Sequence, residues 1–126
     1  MGTLVMVVDD SATIRRQVGH ALEEAGFAVI DAKDGVDALT QLEAGPVPSI
    51  MVCDVNMPNM NGLELLEEMQ QRSGLAAVAT VMLTTEGQPE LIRRARRLGA
   101  KGWLVKPFRP DLLLDAVRRL EELVTG

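Results

Sequence analysis

The sequence predicts one doubly wound (βα)5 domain, an α/β fold with a five-stranded parallel sheet. Three observations carry that expectation. Apolar, β-branched runs alternate with helical stripes five times along the 126 residues. The connections are short, and no linker, low-complexity segment or internal repeat interrupts the alternation. The first run, Leu4-Val5-Met6-Val7-Val8, is apolar without a break, as in a strand covered on both faces.

The elements follow in order. After the first strand, Ile14, Val18, Ala21, Leu22 and Ala25 recur at helical spacing and stop at Gly26, a suitable residue just past a helix end. Phe27 to Ile30 reads as the second strand. Asp34 caps a helix carrying Val36, Leu39 and Leu42, which ends before Gly45 and Pro46. Ile50 to Cys53 is the third strand and Leu63 to Met69 the third helix. Val78 to Leu83 is the fourth strand; Leu91, Ala95 and Leu98 stripe a fourth helix that stops at Gly99. Trp103 to Val105 is a short fifth strand, and Leu112 to Leu123 the last helix.

Composition narrows the function classes. One cysteine forms neither an internal disulfide nor a cysteine zinc cage, which points to a reducing compartment. The single histidine, His20, has no second histidine to share a metal with. The run Leu4 to Val8 is too short for a signal core or a membrane span, so a cytoplasmic protein without membrane insertion is expected. Net charge is −5, but unevenly spread: residues 1–68 carry 12 acids against 3 bases, and residues 69–126 carry 6 acids against 10 bases. An acidic chain with three aromatics, Phe27, Trp103 and Phe108, is a poor candidate for DNA binding. The basic half centres on Arg93, Arg94, Arg96 and Arg97 of the fourth helix.

Ligands of doubly wound sheets bind at the carboxyl ends of the strands, so chemistry is sought there. Asp9-Asp10 follow the first strand, Asp54 the third, Thr84-Thr85 the fourth and Lys106-Pro107 the fifth. A dinucleotide or P-loop site needs glycines after strand one, and two carboxylates stand there instead. Three converging carboxylates repel one another unless a hard cation intervenes, and Mg²⁺ suits them. Asp9-Asp10 also stand where they could cap the helix beginning near Ser11, a role compatible with metal binding. A carboxylate such as Asp54 can act as a nucleophile and form an aspartyl-phosphate. A lysine ammonium and a hydroxyl such as Thr84 would stabilise the transferring phosphoryl group.

At this point the chain resembles the receiver domains of two-component response regulators, over essentially its whole length. The likeness rests on Val8-Asp9-Asp10-Ser11, the run Asp54-Val55-Asn56-Met57-Pro58-Asn59-Met60-Asn61-Gly62, Thr84-Thr85-Glu86 and Lys106-Pro107-Phe108. Arg15-Arg16 and Asp34-Gly35-Val36-Asp37-Ala38-Leu39 are similar to the stand-alone chemotaxis receivers of the CheY type. The resemblance implies a flavodoxin/CheY-like fold, a receiver domain over residues 1–126 with no output domain, and phosphotransfer to Asp54 from a histidine kinase. It implies Mg²⁺ held by Asp10, Asp54 and the Asn56 carbonyl, with Asp9 acting through water. Lys106 would pair with the phosphoryl oxygen, Thr84 would move in to bond it, and Lys106-Pro107 would be cis. Such a protein is no enzyme in the ordinary sense; it is a phosphoacceptor that undergoes Mg²⁺-dependent self-phosphorylation and self-dephosphorylation. Asn56 and Glu86 would flank the phosphoryl group, and similar residues accompany a short-lived signal in that subgroup. The resemblance also implies a separate downstream target on the face of the fourth helix, fifth strand and fifth helix, reached by a monomer or a weak phosphorylation-dependent dimer.

One departure stands out. Receivers commonly place Tyr or Phe three residues before the lysine, where this chain has Trp103, either an ordinary cover of the sheet edge or an outward partner contact. Cys53 reads as inert packing, His20 as solvated, and most methionines as gap fillers. Met57 and Met60, in the loop after Asp54, could by resemblance contact the kinase. Gly62 fits either a positive φ or a close approach, and Gly87 could loosen the loop that Thr84 must carry. Glu90 can pair with Arg94, yet most of the arginine charge is unmatched. That face reads as solvated, as a dock for an acidic partner, or as a cyclic-dinucleotide site. A phosphatase with an aspartyl-phosphate intermediate is disfavoured because Asp54-Val55-Asn56 lacks a second acid, whereas a phosphorylation-independent adaptor keeps the same fold.

Overall fold

Strands and helices alternate along the chain in the computed structural model, which describes residues 2–125. The order is β1 (Leu4–Val8), α1 (Ala12–Glu24), β2 (Ala28–Ala32), α2 (Gly35–Ala44), β3 (Ile50–Cys53), α3 (Gly62–Gln70), β4 (Ala79–Thr84), α4 (Pro89–Arg97), β5 (Ala100–Val105) and α5 (Pro110–Thr125). All pairings are parallel, and the sheet order is β2-β1-β3-β4-β5. The chain runs from β1 outward to β2 and returns to β3, so the order reverses at β1 and β3 and leaves a crevice at their carboxyl ends.

The period of two along each strand divides the core. Val5, Val7, Ile50, Val52, Val81 and Leu83 meet Val18 and Leu22 of α1 and Leu113, Val117 and Leu120 of α5. Met6, Val8, Met51, Cys53 and Met82 face the other way, toward α2, α3 and Ala95 of α4. Both faces are covered, which is why these strands read as continuous apolar runs.

Local signals set most helix starts. Ser11 caps α1 through its hydroxyl, and Asp34 caps α2 by accepting from the Asp37 N–H. Asn61 and Glu64 form a reciprocal capping box at α3. Gly26 takes φ 98 just after α1, as expected of a residue past a helix end.

Three strands differ from their sequence expectation. β2 begins at Ala28 and runs on to Ala32, because Val7 and Val8 continue to pair with Asp31 and Ala32. Its outer edge is unpaired, so an exposed Asp31 is tolerated and the apolar pattern fades before the hydrogen bonding does. β4 runs from Ala79 to Thr84, which places Thr84 inside the strand end and not beyond it. β5 starts three residues earlier than its apolar run, and its register slips between Thr80 and Val81, so Lys101 is passed over while Gly102 pairs with Val81.

Thr80 is fully buried, and its Oγ1 has no hydrogen-bond partner among the described residues. Thr80→Val removes that unmet hydroxyl while keeping its shape. It is expected to raise stability by about 1 kcal/mol, read as a higher urea midpoint at unchanged slope. A lower midpoint would mean that the hydroxyl has a partner worth keeping.

Candidate functional site

Three carboxylates meet at the crevice. Asp9 and Asp10 leave β1 and Asp54 leaves β3, each with an oxygen within 4.8 Å of the others. Asp9 and Asp54 are buried and Asp10 is exposed, so the cluster opens to solvent on one side. The Asp54 N–H bonds the Val8 carbonyl at 2.9 Å, extending the β1–β3 ladder and giving the side chain a rigid base. Asp54 Oδ1 accepts the Val55 N–H at 2.7 Å.

Lys106 reaches the cluster from the end of β5. Its Nζ lies 2.9 Å from Asp9 Oδ2 and 3.4 Å from Asp54 Oδ2. Burial, then the charge of Asp9, push the Asp54 carboxyl above its ordinary range; Lys106, the Thr84 hydroxyl and the Val55 N–H pull it partly back. Burial also works against the Lys106 ammonium, but the bonds and charges of Asp9 and Asp54 outweigh it and hold its pKa above the usual value. The donor set is hard oxygen with one cation among three acids, so the chemistry of the site fits Mg²⁺.

Thr84 is fully buried, and its Oγ1 accepts the Glu86 N–H at 3.3 Å. Glu86 ties the rim together: its carboxylate accepts the Asn56 amide at 2.8 Å, and its carbonyl accepts the Trp103 indole N–H at 2.8 Å. Trp103 is half-buried against the Met6 side of the core, so it covers the sheet edge while its polar end is spent inside the protein. Lys106-Pro107 is cis, as the resemblance implies. Gly62 is needed for close approach, since a Cβ there would collide with the Asp54 carbonyl oxygen. The positive φ in this loop falls instead on Asn59, at φ 69.

Some residues that shape the site carried no functional reading in the sequence. Arg15 donates to the Asp9 carbonyl at 2.7 Å and pairs with Asp31 at 2.9 Å, bracing the end of β1. Asp34, read only as a cap, also accepts the Asn59 amide at 2.8 Å, and the Gly35 N–H bonds the Met60 carbonyl at 3.0 Å. The α2 start thus clamps the loop that bears Asn56. A helix cap is visible in sequence; its second bond, 25 residues away, is not. Those two bonds hold the Asp34 carboxyl below its ordinary range, the Asp37 N–H most strongly and then Asn59. Asp34→Ala is expected to cost about 1 kcal/mol near neutral pH. The sign follows from the lowered folded pKa: the stabilisation is present above the unfolded value and lost as pH falls through the folded one. The wild-type and variant denaturation midpoints should therefore converge in acid.

The other candidates lie apart from this cluster. Arg93, Arg94, Arg96 and Arg97 are exposed on α4, and their side chains make no ion pair or hydrogen bond among the described residues. The Glu90–Arg94 pair that the spacing allows is not formed, because both side chains extend into solvent where such a pair gains little. Burial pushes the Cys53 thiol far up, and its Sγ donates to the Asp54 carbonyl at 3.1 Å, consistent with inert packing. His20 is exposed beside Glu24 at 3.2 Å. Met57 and Met60 are half-buried and pack against the core. Among the described residues no helix is long and apolar enough to cross a membrane.

A parallel sheet in this order, with an acidic crevice faced by a lysine from its last strand, is the architecture of a response regulator in two-component signalling. The family model for the response regulator receiver domain matches residues 5–118, and the chain belongs to that family. Among curated relatives it is 36% identical over 123 residues to chemotaxis protein CheY1 of Helicobacter pylori, covering 97% of this chain and 96% of the relative. It is 33% identical to chemotaxis protein CheY of Pseudomonas aeruginosa, covering 97% and 98%. The solved structure of Vibrio cholerae chemotaxis protein CheY4 superposes with a TM-score of 0.89 at 39% identity, covering 95% of this chain and 99% of that one. The doubly wound, flavodoxin/CheY-like fold expected from sequence is the fold observed.

Proposed function

We propose that Asp54 accepts a phosphoryl group from the phosphohistidine of a kinase and that the acyl phosphate alters the surface read by a separate protein. One observation carries this reading: Lys106 bridges Asp9 and Asp54 at 2.9 and 3.4 Å, beside three carboxylates that share one crevice. An Asp54 oxygen attacks phosphorus, the phosphorus–nitrogen bond breaks, and its electron pair returns to the imidazole of the kinase. Lys106 neutralises charge on the transferred group. Thr84 moves so that its O–H donates to a phosphoryl oxygen, which draws its Oγ1 away from the Glu86 N–H that it accepts. Asp9, Asp10, Asp54 and the Asn56 carbonyl are the residues that would hold Mg²⁺. When bound, that ion supplies positive charge against the phosphoryl oxygens.

Loss of the Thr84–Glu86 bond would loosen the loop that joins Asn56, Glu86 and Trp103, and so bias α4 and β5. The downstream target would dock on the face of α4, β5 and α5. The likeness to chemotaxis proteins supports a cytoplasmic role of that kind, with Asn56 and Glu86 flanking a short-lived phosphoryl group. Incubation with Mg²⁺ and a small-molecule acyl phosphate should add one phosphoryl group by intact mass to wild type and none to Asp54→Asn. Equal gain by both would move the acceptor elsewhere. Partner binding that is indifferent to phosphodonor and to Asp54→Asn would favour a phosphorylation-independent adaptor.

A further inference from the structure

Asp34 and Asn59 each carry more than their local backbone requires. A helix N-cap needs one side-chain acceptor, and a neutral hydroxyl serves at α1, where Ser11 caps. At α2 the cap is a carboxylate only 4% exposed, and burying a charge is costly unless it is well hydrogen-bonded. Asn59 stands at φ 69, the only non-glycine residue at positive φ among the described residues, where glycine would sit without strain. The surplus atoms of the two residues meet. Asp34 Oδ1 accepts the Asp37 N–H at 2.8 Å, and the Asn59 amide donates to Oδ2 at 2.8 Å.

That bond stands at a junction. At the end of β2 the Ala32 carbonyl accepts the Asp9 N–H at 3.1 Å. Just beyond, Asp34 holds Asn59, and the Gly35 N–H holds the Met60 carbonyl at 3.0 Å. A Cβ on Gly35 would strike Met60, so the two backbones lie in close contact. The turn after β2 therefore touches both lips of the acidic crevice, the end of β1 and the loop after β3. The near end of that loop is fixed as well: the Val55 N–H bonds Asp54 Oδ1, and the Val55 carbonyl accepts the Gly62 N–H at 2.9 Å. Between the anchors lie Asn56, Met57 and Pro58. Pro58 fixes its own φ and restricts Met57, which packs against the core. Asn56 is thus exposed on a short span held at both ends.

We propose that Asp34 and Asn59 are positioning residues that fix the Asn56 carbonyl at the crevice, and through it set the preference of the site for Mg²⁺ over Ca²⁺. The inference rests on the reading of Asn56 as a ligand of the phosphoacceptor site and gives a role to two residues outside that site. Mg²⁺ demands short oxygen contacts in near-octahedral array, whereas Ca²⁺ accepts longer and less regular ones. Selectivity between them therefore depends on how rigidly each donor is held. Asp9 and Asp54 directly follow strands and take their stiffness from the sheet. The Asn56 carbonyl belongs to a loop, and the Asp34–Asn59 bond supplies the stiffness that the sheet does not.

Titration calorimetry of the full chain with Mg²⁺ and with Ca²⁺ tests this, on Asn59→Gly, Asp34→Ser and the two combined. Glycine suits φ 69 and serine keeps the helix cap, so each variant removes the clamp and little else. Urea midpoints in EDTA check that the fold persists. Each single variant should bind Mg²⁺ about tenfold more weakly and Ca²⁺ less than about twofold more weakly. Loss of the Asp34 charge by itself would weaken both ions alike, so the ratio isolates the clamp. Since the two residues act through one bond, the combined variant should bind Mg²⁺ no worse than the weaker single one. An unchanged ratio of Mg²⁺ to Ca²⁺ affinity, additive losses, or losses confined to a variant that no longer folds overturns the inference. Phosphotransfer from an acyl phosphate is read separately by intact mass. A wild type that gains a phosphoryl group while every variant keeps its ion preference refutes the clamp alone. A wild type that gains none, while the variants lose Mg²⁺ preference as stated, refutes phosphotransfer alone, and a wild type that binds no Mg²⁺ refutes both.

Discussion

Lys106→Met should slow phosphotransfer to Asp54 by about 10²- to 10³-fold and at the same time weaken the fold. The rate loss follows from removing a preorganised cation from the place where charge develops on the transferring group. The stability loss has a different cause. Lys106 is 2.9 Å from Asp9 and 3.4 Å from Asp54, and its side chain is only 14% exposed. Without it, two largely buried carboxylates face each other with no counter-ion, a loss of about 2 kcal/mol near neutral pH. Arginine is no substitute, because a planar fork does not occupy the place of a compact ammonium. Stopped-flow phosphorylation and urea denaturation check the two halves independently. A variant with normal rate and lowered stability would make Lys106 a purely structural counter-ion.

Asp54→Asn should do the opposite to the fold while abolishing the chemistry. The Asp54 carboxyl is raised above its ordinary range by burial and by Asp9. A folded pKa above the unfolded one means that the folded state holds the proton longer, so stability falls as pH rises through the interval between them. Below that interval the group is protonated in both states and costs nothing. Asparagine removes the charge, keeps an acceptor for the Val55 N–H and leaves Lys106 paired with Asp9. In metal-free buffer near neutral pH the variant should gain about 1 kcal/mol, and the advantage should vanish in acid. Mg²⁺ should raise the melting temperature of wild type and do less for the variant, since ligand binding to the folded state adds stability in proportion to affinity. A variant less stable than wild type at every pH would show that the carboxylate is held favourably after all.

The two substitutions are expected to pull stability in opposite directions through one cluster. Such an opposition would separate a functional site from a structural ion pair. A pair kept for stability would lose on removal of either member. Here burial and Asp9 raise the Asp54 carboxyl while Lys106 lowers it, so the acid is expected to strain the fold and the lysine to relieve it, as where carboxylates are gathered for a purpose other than holding the protein together.

Much of this was legible in the chain itself. Covered strands appear as unbroken apolar runs, the start of α2 as the capping Asp34, and candidate site chemistry as charged or hydroxyl residues at four strand ends. Each is a local signal, set by residues within a few positions of one another. The edge strands were read less well, because their bounds depend on neighbours: β2 outlasts its apolar pattern through pairing with β1, and β5 starts early through pairing with β4.

The sequence alone therefore determined the fold class, the acidic strand ends and the family likeness, since periodicity and the order of motifs are properties of the chain. Only the tertiary structure decided which of those residues touch. It joined Lys106 to Asp9 across 97 positions and Asn56 to Glu86 across 30, and it turned the Trp103 indole N–H inward onto the Glu86 carbonyl. It also left the arginines of α4 unanswered. Contacts between distant residues depend on strand order and register, which set three-dimensional distances that no local pattern encodes.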